Sequence, residues 1–455
     1  MADTANRPNI ILINCDDLGY GDPGCYGSKI NKTPYIDQLA SEGVRFTDFY
    51  MASSICSPSR GAMMTGCYPK RIDFSEFFDR VVLFPGDGKG LNPDEKSIAS
   101  VLKDAGYVTK LVGKWHCGDQ AEFLPTQHGF DEYYGLPYSN DMGRQINAKK
   151  EWPPLPLMLN EEVLEEQPDQ SSITERYLDQ SIQFVRKNKD NPFFLYLAHM
   201  YVHLPHYPLQ RFADENPDPY AACVASIDWV TGVLMNELSK LGLEENTLVI
   251  FTSDNGSRND YGPSNGELRG TKATSWEGGF RVPCIMRWPA EIPSGVVSDG
   301  ICTSMDFLPT LAAIAGGKVP DDRIIDGIDL SDHLTGAKST TGRDTFLYYF
   351  KKNIEAVRSG NWKLHIKRKQ ENVKELYNLR SDVGEQQNVY DDHPEIVAAI
   401  TEIIADARKD LGDGSTNDPG TGCRKAGYVE NPKTLTTYDP NHPYYIAMYD
   451  LEDCG

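Results

Sequence analysis

Five near-continuous apolar runs punctuate the chain: NIILIN (9–14), VTKLVG (108–113), PFFLYLA (192–198), TLVIFTS (247–253) and VPCIMRW (282–288). Short runs without polar alternation predict strands buried on both faces. Between them, apolar positions recur at helical spacing. TPYIDQLASEGV (33–44) aligns Ile36, Leu39 and Ala40, with Gly43 as its stop. EKSIASVLKDAGY (95–107) stops at Gly106, and AACVASIDWVTGVLMNELSKLG (221–242) is a longer helix. Strands alternating with helices predict an α/β fold, a large and mostly parallel central sheet flanked by helices.

The texture changes after about residue 340. FLYYFKKNIEAVRSGNWKLHI (346–366) and VKELYNL (373–379) read as an antiparallel meander. PEIVAAITEIIADARKDLG (394–412) carries Ile396, Ile400, Ile403 and Ala407 along one helical face. The expected organisation is an α/β domain over 7–340, a small α+β domain over 341–412, and a tail over 413–455 packing back on the body. We find no internal repeat and no low-complexity segment.

Composition narrows the function without naming it. The 455 residues are 40% hydrophobic and 24% charged, as in ordinary globular proteins. A net charge of −21 repels nucleic acid and anionic membrane, so neither is an expected partner. An anionic substrate would need local attraction from a cation and a few basic side chains. The one basic run, KLHIKRKQ (363–370), reads as a solvated strand face. No run reaches the roughly 18 apolar residues of a membrane span, and MADTANRPN has no signal-peptide character. The expected location is cytoplasmic, or exported with the leader absent from this chain. None of the ten cysteines forms a C-x-x-C pair, which argues against a zinc site. Cys15 and Cys284 sit inside apolar runs and read as small buried hydrophobes, while Cys423 and Cys454, both in the irregular tail, are a candidate pair.

In open α/β sheets, ligands bind at the carboxyl ends of the strands. NIILIN is followed by Asp16 and Asp17, and VTKLVG by Lys114, Trp115 and His116. PFFLYLA leads to His199, His203 and His206, and TLVIFTS to Asp254 and Asn255. Four strands thus deliver ionisable groups at one end, which predicts a site. Taken singly, Asp16-Asp17 and Asp254-Asn255-Gly256 also suit turns and helix caps. Together they form an all-oxygen set, suited to Ca²⁺ or Mg²⁺, and two adjacent aspartates repel unless a cation or proton intervenes. His199 and Trp115 read as packing residues.

The stretch SSICSPSRGAMMTG (53–66) adds a cysteine, Cys56, ahead of a helix expected to begin within GAMMTG. A helix N-terminus there would face an anion and activate a thiolate, whereas a lone cysteine more simply reads as inert and buried. Cys56-Ser57-Pro58-Ser59-Arg60, followed by Gly61 and Thr65-Gly66, resembles the C-x-P-S-R signature of the type I sulfatases, members of the alkaline-phosphatase-like superfamily. DDLGYGDPGCYG (16–27) resembles that family's metal loop, GKWH (113–116) its lysine–histidine pair, and LYLAHMYVHLP (195–205) the strand leading to a sulfate-binding histidine. DNG (254–256), LRGTKATSWEGGFRVP (268–283) and ELYNLRSDVGEQQNV (375–389) resemble its remaining motifs. The resemblance covers about residues 7 to 410. It departs at Cys117, where leucine is common, and at His206, which competes with His203.

The resemblance implies hydrolysis of sulfate monoesters. Cys56 would be oxidised by a maturase to formylglycine (3-oxoalanine), whose hydrate attacks sulfur with one hydroxyl and releases sulfate through the other. It implies a metal, Ca²⁺ before Mg²⁺, held by Asp16, Asp17, residue 56, Asp254 and Asn255. Arg60 would hold the nucleophile, and His116 would be the base for release. Lys114, Lys272 and His203 would contact the sulfuryl group, with Lys272 or His203 as the general acid. GLPYSND (135–141) resembles arylsulfatase A and the galactosamine sulfatases, which points to a carbohydrate or hexosamine sulfate, with aryl sulfates as assay substrates. The expected rim comprises 135–144, 257–265 and the tail around 436–449. Two alternatives stay open: a phosphonate monoester or phosphodiester hydrolase on the same site, and a non-catalytic binder of sulfated glycans with Cys56 unmodified.

Overall fold

A computed structural model describes residues 7–146, 151–261 and 264–446. Its principal sheet has ten strands. In chain order they are β1 (Asn9–Cys15), β2 (Val44–Phe46), β3 (Val108–Gly113), β4 (Glu132–Gly135), β5 (Pro156–Leu159), β6 (Glu162–Glu166), β7 (Phe193–Ala198), β8 (Thr247–Ser253), β9 (Cys284–Arg287) and β10 (Val296–Ser298). Their spatial order is β10-β2-β9-β8-β1-β7-β3-β4-β5-β6. The central run β8-β1-β7-β3-β4 is parallel throughout, whereas β9 is antiparallel to β8 and β5 to β4.

The apolar character of β1 follows from its place. Ile10 and Leu12 enter one core and Ile11 and Ile13 another, all fully buried, so both faces of the strand are covered. Helices α1 (Pro34–Ser41), α4 (Ile173–Lys187) and α5 (Pro219–Lys240) close the second core. Helices α3 (Ile98–Asp104) and α6 (Phe307–Ala315) close the first, while α2 (Cys56–Thr65) adds Met63 and Met64. The register sets Cys15 opposite Ser253 and Gly113 opposite Ala198. The strands therefore end level with one another, and the residues that follow them meet.

The C-terminal meander is a four-stranded antiparallel sheet: β11 (Thr345–Phe350), β12 (Asn353–Ser359), β13 (Trp362–Arg368) and β14 (Glu371–Asn378). Helix α7 (Pro394–Leu411) packs on it through Ile400, Ile404, Ala407 and Leu411. The buried stripe is rotated slightly from the expected one, leaving Ile396 and Ile403 at its edges. The basic run 363–370 departs further from expectation. Lys363 and His365 turn inward and are fully buried, and only the later residues of the run face solvent. A strand alternates its faces, so a contiguous charged run cannot lie wholly on one side.

Gly427–Tyr428 pairs antiparallel with Lys89–Gly90, and the Arg144 guanidinium lies 3.8 Å from the Tyr438 ring centre. Cys454 and the tail's last residues, from 447, lie outside the described residues. No helix among the described residues is long and apolar enough to cross a membrane.

Candidate active site

Asp16 and Asp17 follow β1 directly, and Asp254 and Asn255 follow β8. Asp254 N donates to Cys15 O at 3.0 Å, continuing the β1–β8 ladder by one residue. Cys56 is the first residue of α2, so the helix begins five residues earlier than its expected start at Gly61. Pro58 sits within the first turn, where its missing N–H costs nothing. The Cys56 thiol donates to Asp16 Oδ1 at 3.5 Å.

Ligand atoms of Asp16, Asp17, Cys56 and Asp254 all lie within 4.8 Å of one another. Asn255 donates Nδ2 to Asp17 Oδ1 at 2.6 Å, leaving its Oδ1 buried without a hydrogen-bond partner. An orphaned amide oxygen beside three buried carboxylates fits a hard divalent cation.

Basic side chains close around this set. Arg60 Nε and Nη2 each lie 2.8 Å from Asp254 Oδ2. Lys114 pairs with Asp16 and donates to Ser139 Oγ at 3.1 Å. Lys272 Nζ lies 2.9 Å from Asp17 Oδ1. His203 Nε2 stands 3.8 Å from Asp17 Oδ2, while His206 is turned away, its Nε2 2.8 Å from Val202 O. All these groups except His206 are buried, Lys272 being the most open at 8% exposure.

Electrostatics favours the inert of the two readings of Cys56. Burial pushes the Cys56 thiol far above its ordinary value, reinforced by Asp16 and Asp254 against Lys114 and Lys272. Burial therefore favours the protonated thiol over an activated thiolate. Burial also holds His116 and His203 well below the ordinary histidine range, with nearby lysines adding to it. Their tautomers follow from their partners, since a carbonyl can only accept. His116 Nε2 is 3.1 Å from Leu83 O and carries the proton, leaving Nδ1 as a buried lone pair without a partner. His203 Nδ1 is 2.6 Å from Leu204 O, so in the neutral ring Nε2 has no proton to give.

Asp17 (φ 62°), His116 (φ 60°) and Ala273 (φ 62°) are non-glycine residues in the left-handed region. Such backbones cost about 1–3 kcal/mol each and persist where the surroundings over-determine them. Two are site residues and the third adjoins Lys272.

Sequence reasoning missed the inner role of GLPYSND. It follows β4, a strand too short to stand out as an apolar run, and brings Ser139 to Lys114. Asp141 is fully buried there, with both carboxylate oxygens unpartnered, and burial raises it to about 6. His199 is buried as a packing residue, and Trp115 is core, donating to Phe123 O at 2.8 Å.

The sulfatase family profile matches residues 8–317. The chain belongs to the type I sulfatase family. A second profile, the C-terminal part of N-sulphoglucosamine sulphohydrolase, matches residues 271–410. Human arylsulfatase A is 39% identical over 387 residues, covering 80% of this chain and 75% of that protein. N-acetylgalactosamine-6-sulfatase of Canis lupus familiaris is 37% identical, with coverage of 79% and 72%. The solved structure of Ps i-CgsB in complex with k-i-k-neocarrahexaose is 32% identical, with a TM-score of 0.79 and coverage of 88% and 92%. The sulfatase is thus a sulfuric ester hydrolase, of a family that generally uses formylglycine and a divalent metal.

Proposed function

We propose that this sulfatase hydrolyses carbohydrate sulfate esters, with residue 56 as formylglycine and Ca²⁺ bound by Asp16, Asp17, residue 56, Asp254 and Asn255. The observation that carries the reading is Cys56 itself. It opens a helix inside the maturation signature, within reach of Asp16, among carboxylates and cations, and burial keeps its thiol protonated despite the lysines. Once converted and hydrated, residue 56 supplies the nucleophile, and the cation supplies Lewis-acid neutralisation of sulfuryl charge.

The chain's own residues divide the rest. Arg60, fixed on Asp254, holds residue 56 from one side. Lys114, set by Asp16 and Ser139, presents an ammonium to the sulfuryl oxygens. The free Nδ1 of His116 is the base for sulfate release. Lys272 is the donor to the leaving oxygen, because neutral His203 lacks a proton on Nε2. Through the field of its ring, and as a donor once protonated, His203 contributes to sulfate binding.

Support for a sugar comes from the surroundings. A cavity of about 750 Å³ adjoins the loop that continues from Asp16 and Asp17, and Tyr20, Tyr26, Tyr220, Tyr261 and Arg380 line it. Aromatic faces beside hydrogen-bonding side chains suit pyranose rings, and the volume lies within the range of small-molecule sites. A hexosamine sulfate is the substrate class we assign, and a formylglycine-generating maturase the partner.

The test is mass spectrometry of peptide 46–60 from protein made in its native host, with activity measured on the same sample. A hydrazine-trapped aldehyde at position 56 that tracks activity supports the reading. Full activity from unmodified thiol would end it.

A further inference from the structure

The segment carrying Lys272 touches the loops that bear Asn255 and precede Cys56 on one side and the C-terminal sheet on the other. Toward the site, Lys272 N donates to Ser257 O and Ala273 N to Ser54 O, both at 2.9 Å. These bonds tie it to the residues just after Asn255 and just before Cys56. Toward the C-terminal sheet, Glu277 N donates to Glu385 Oε2 at 2.7 Å, and Arg269 Nη1 to Glu385 O at 2.6 Å. Lys363 Nζ lies 2.9 Å from both Glu277 Oε1 and Glu385 Oε1. His365 Nε2 is 2.8 Å from the same Glu385 oxygen. Tyr50 and Tyr348 donate their hydroxyls to Glu277 at 2.5 and 2.6 Å.

Glu277, Lys363, His365 and Glu385 are all fully buried. Desolvating such ions costs several kcal/mol each, and well-packed apolar residues of the same volume often hold an interface at least as well. Adhesion alone therefore does not account for them. What shared charges add is a single register: one ammonium between two carboxylates is satisfied at one relative position only. Trp276 is held in the same place, 3.8 Å from the Arg269 guanidinium and 4.6 Å from the His365 ring.

We propose that Lys363 and Glu385 are positioning residues for the reaction, fixing Lys272 against the leaving oxygen by locking Glu277 farther along the same segment. The C-terminal sheet then takes part in turnover. This inference rests on the donor role given to Lys272 above.

The experiment compares kcat and KM of mature Glu385→Gln, Arg269→Ala and Lys272→Ala over sulfate esters of rising leaving-group pKa, from 4-nitrophenyl sulfate to alkyl sulfates. Removing a leaving-group donor steepens that dependence. Glu385→Gln keeps its shape but loses the charge shared with Lys363. We expect it to lose about 10-fold in kcat on alkyl sulfates and under about 2-fold on 4-nitrophenyl sulfate, with KM unchanged. Added to Lys272→Ala, it should lower kcat no further. Arg269 is exposed and its truncation spares the buried ions, so Arg269→Ala reads the same effect more weakly if Glu385→Gln fails to fold. Equal losses on both ends of the series, or additive losses in the double variant, would show a merely structural role and overturn the inference. A steep Lys272→Ala with flat Glu385→Gln and Arg269→Ala sinks this inference alone. A flat Lys272→Ala overturns the donor role, and the inference with it.

Discussion

Cys56 as a free thiol is a poor nucleophile, because burial keeps it protonated despite two nearby lysines. Cys56→Ala should therefore match protein that has escaped maturation, both below about 10⁻³ of mature turnover on 4-nitrophenyl sulfate. The free Nδ1 of His116 makes a sharper case. His116→Ala should cut steady-state turnover about 10²–10⁴-fold while leaving a single-turnover burst of alcohol, since only release needs the base. A full steady-state rate in that variant would remove the assignment. Aryl sulfate and aryl phosphonate assayed side by side address the related chemistry: the proposed reading expects sulfate to be the faster substrate. At this scale the sequence was most legible, because C-x-P-S-R and the D-D and D-N-G pairs are local. Ser139 and Asp141 were not, since their approach to Lys114 depends on where β4 ends.

Among the elements, parallel strands ending at one level bring the acidic pairs together, and glycines let their loops close. A Cβ on Gly256 would lie 1.7 Å from Gly278 O. Gly256→Ala must therefore displace Asn255 or the 270–279 segment, at about 1–3 kcal/mol. Calorimetry should show a lower Tm, and titration a weaker metal, whereas a neighbouring surface substitution changes neither. The five long apolar strands and the long helices were readable because their periodicity is a local signal. The short strands β2, β4, β5, β6 and β10, of three to five residues each, were not. They carry too few side chains for a pattern, and their pairing partners supply the hydrogen bonds that make them strands.

Over the whole molecule, two linkages follow. Three buried carboxylates around one orphaned amide oxygen should bind a divalent cation tightly. Protein stripped with chelator should thus regain stability on adding Ca²⁺, by about 2.7 kcal/mol at 100 times Kd. No shift in Tm with Ca²⁺ or Mg²⁺ would argue against the site. The second linkage lies between the sheets. Burial alone would raise the Glu277 carboxyl, yet Lys363, Arg281 and Arg358 hold it well below its ordinary value of 4.5. As pH falls, the unfolded chain takes up this proton first, so the stabilisation is present above about pH 4.5 and is lost progressively below it. Glu277→Gln should be less stable at neutral pH and lose less stability between about pH 5 and pH 3, as urea unfolding would show. By itself, the sequence determined the fold class and the family, and it pointed to Asp16, Asp17, Cys56 and Asp254, which the fold brings together, because buried strands and reaction motifs are contiguous signals. Only the tertiary structure decided that Lys363 and His365 face inward, that His203 and not His206 reaches Asp17, and that the Cys56 thiol is inert. Each of those depends on burial and on partners distant in the chain, which no local pattern encodes.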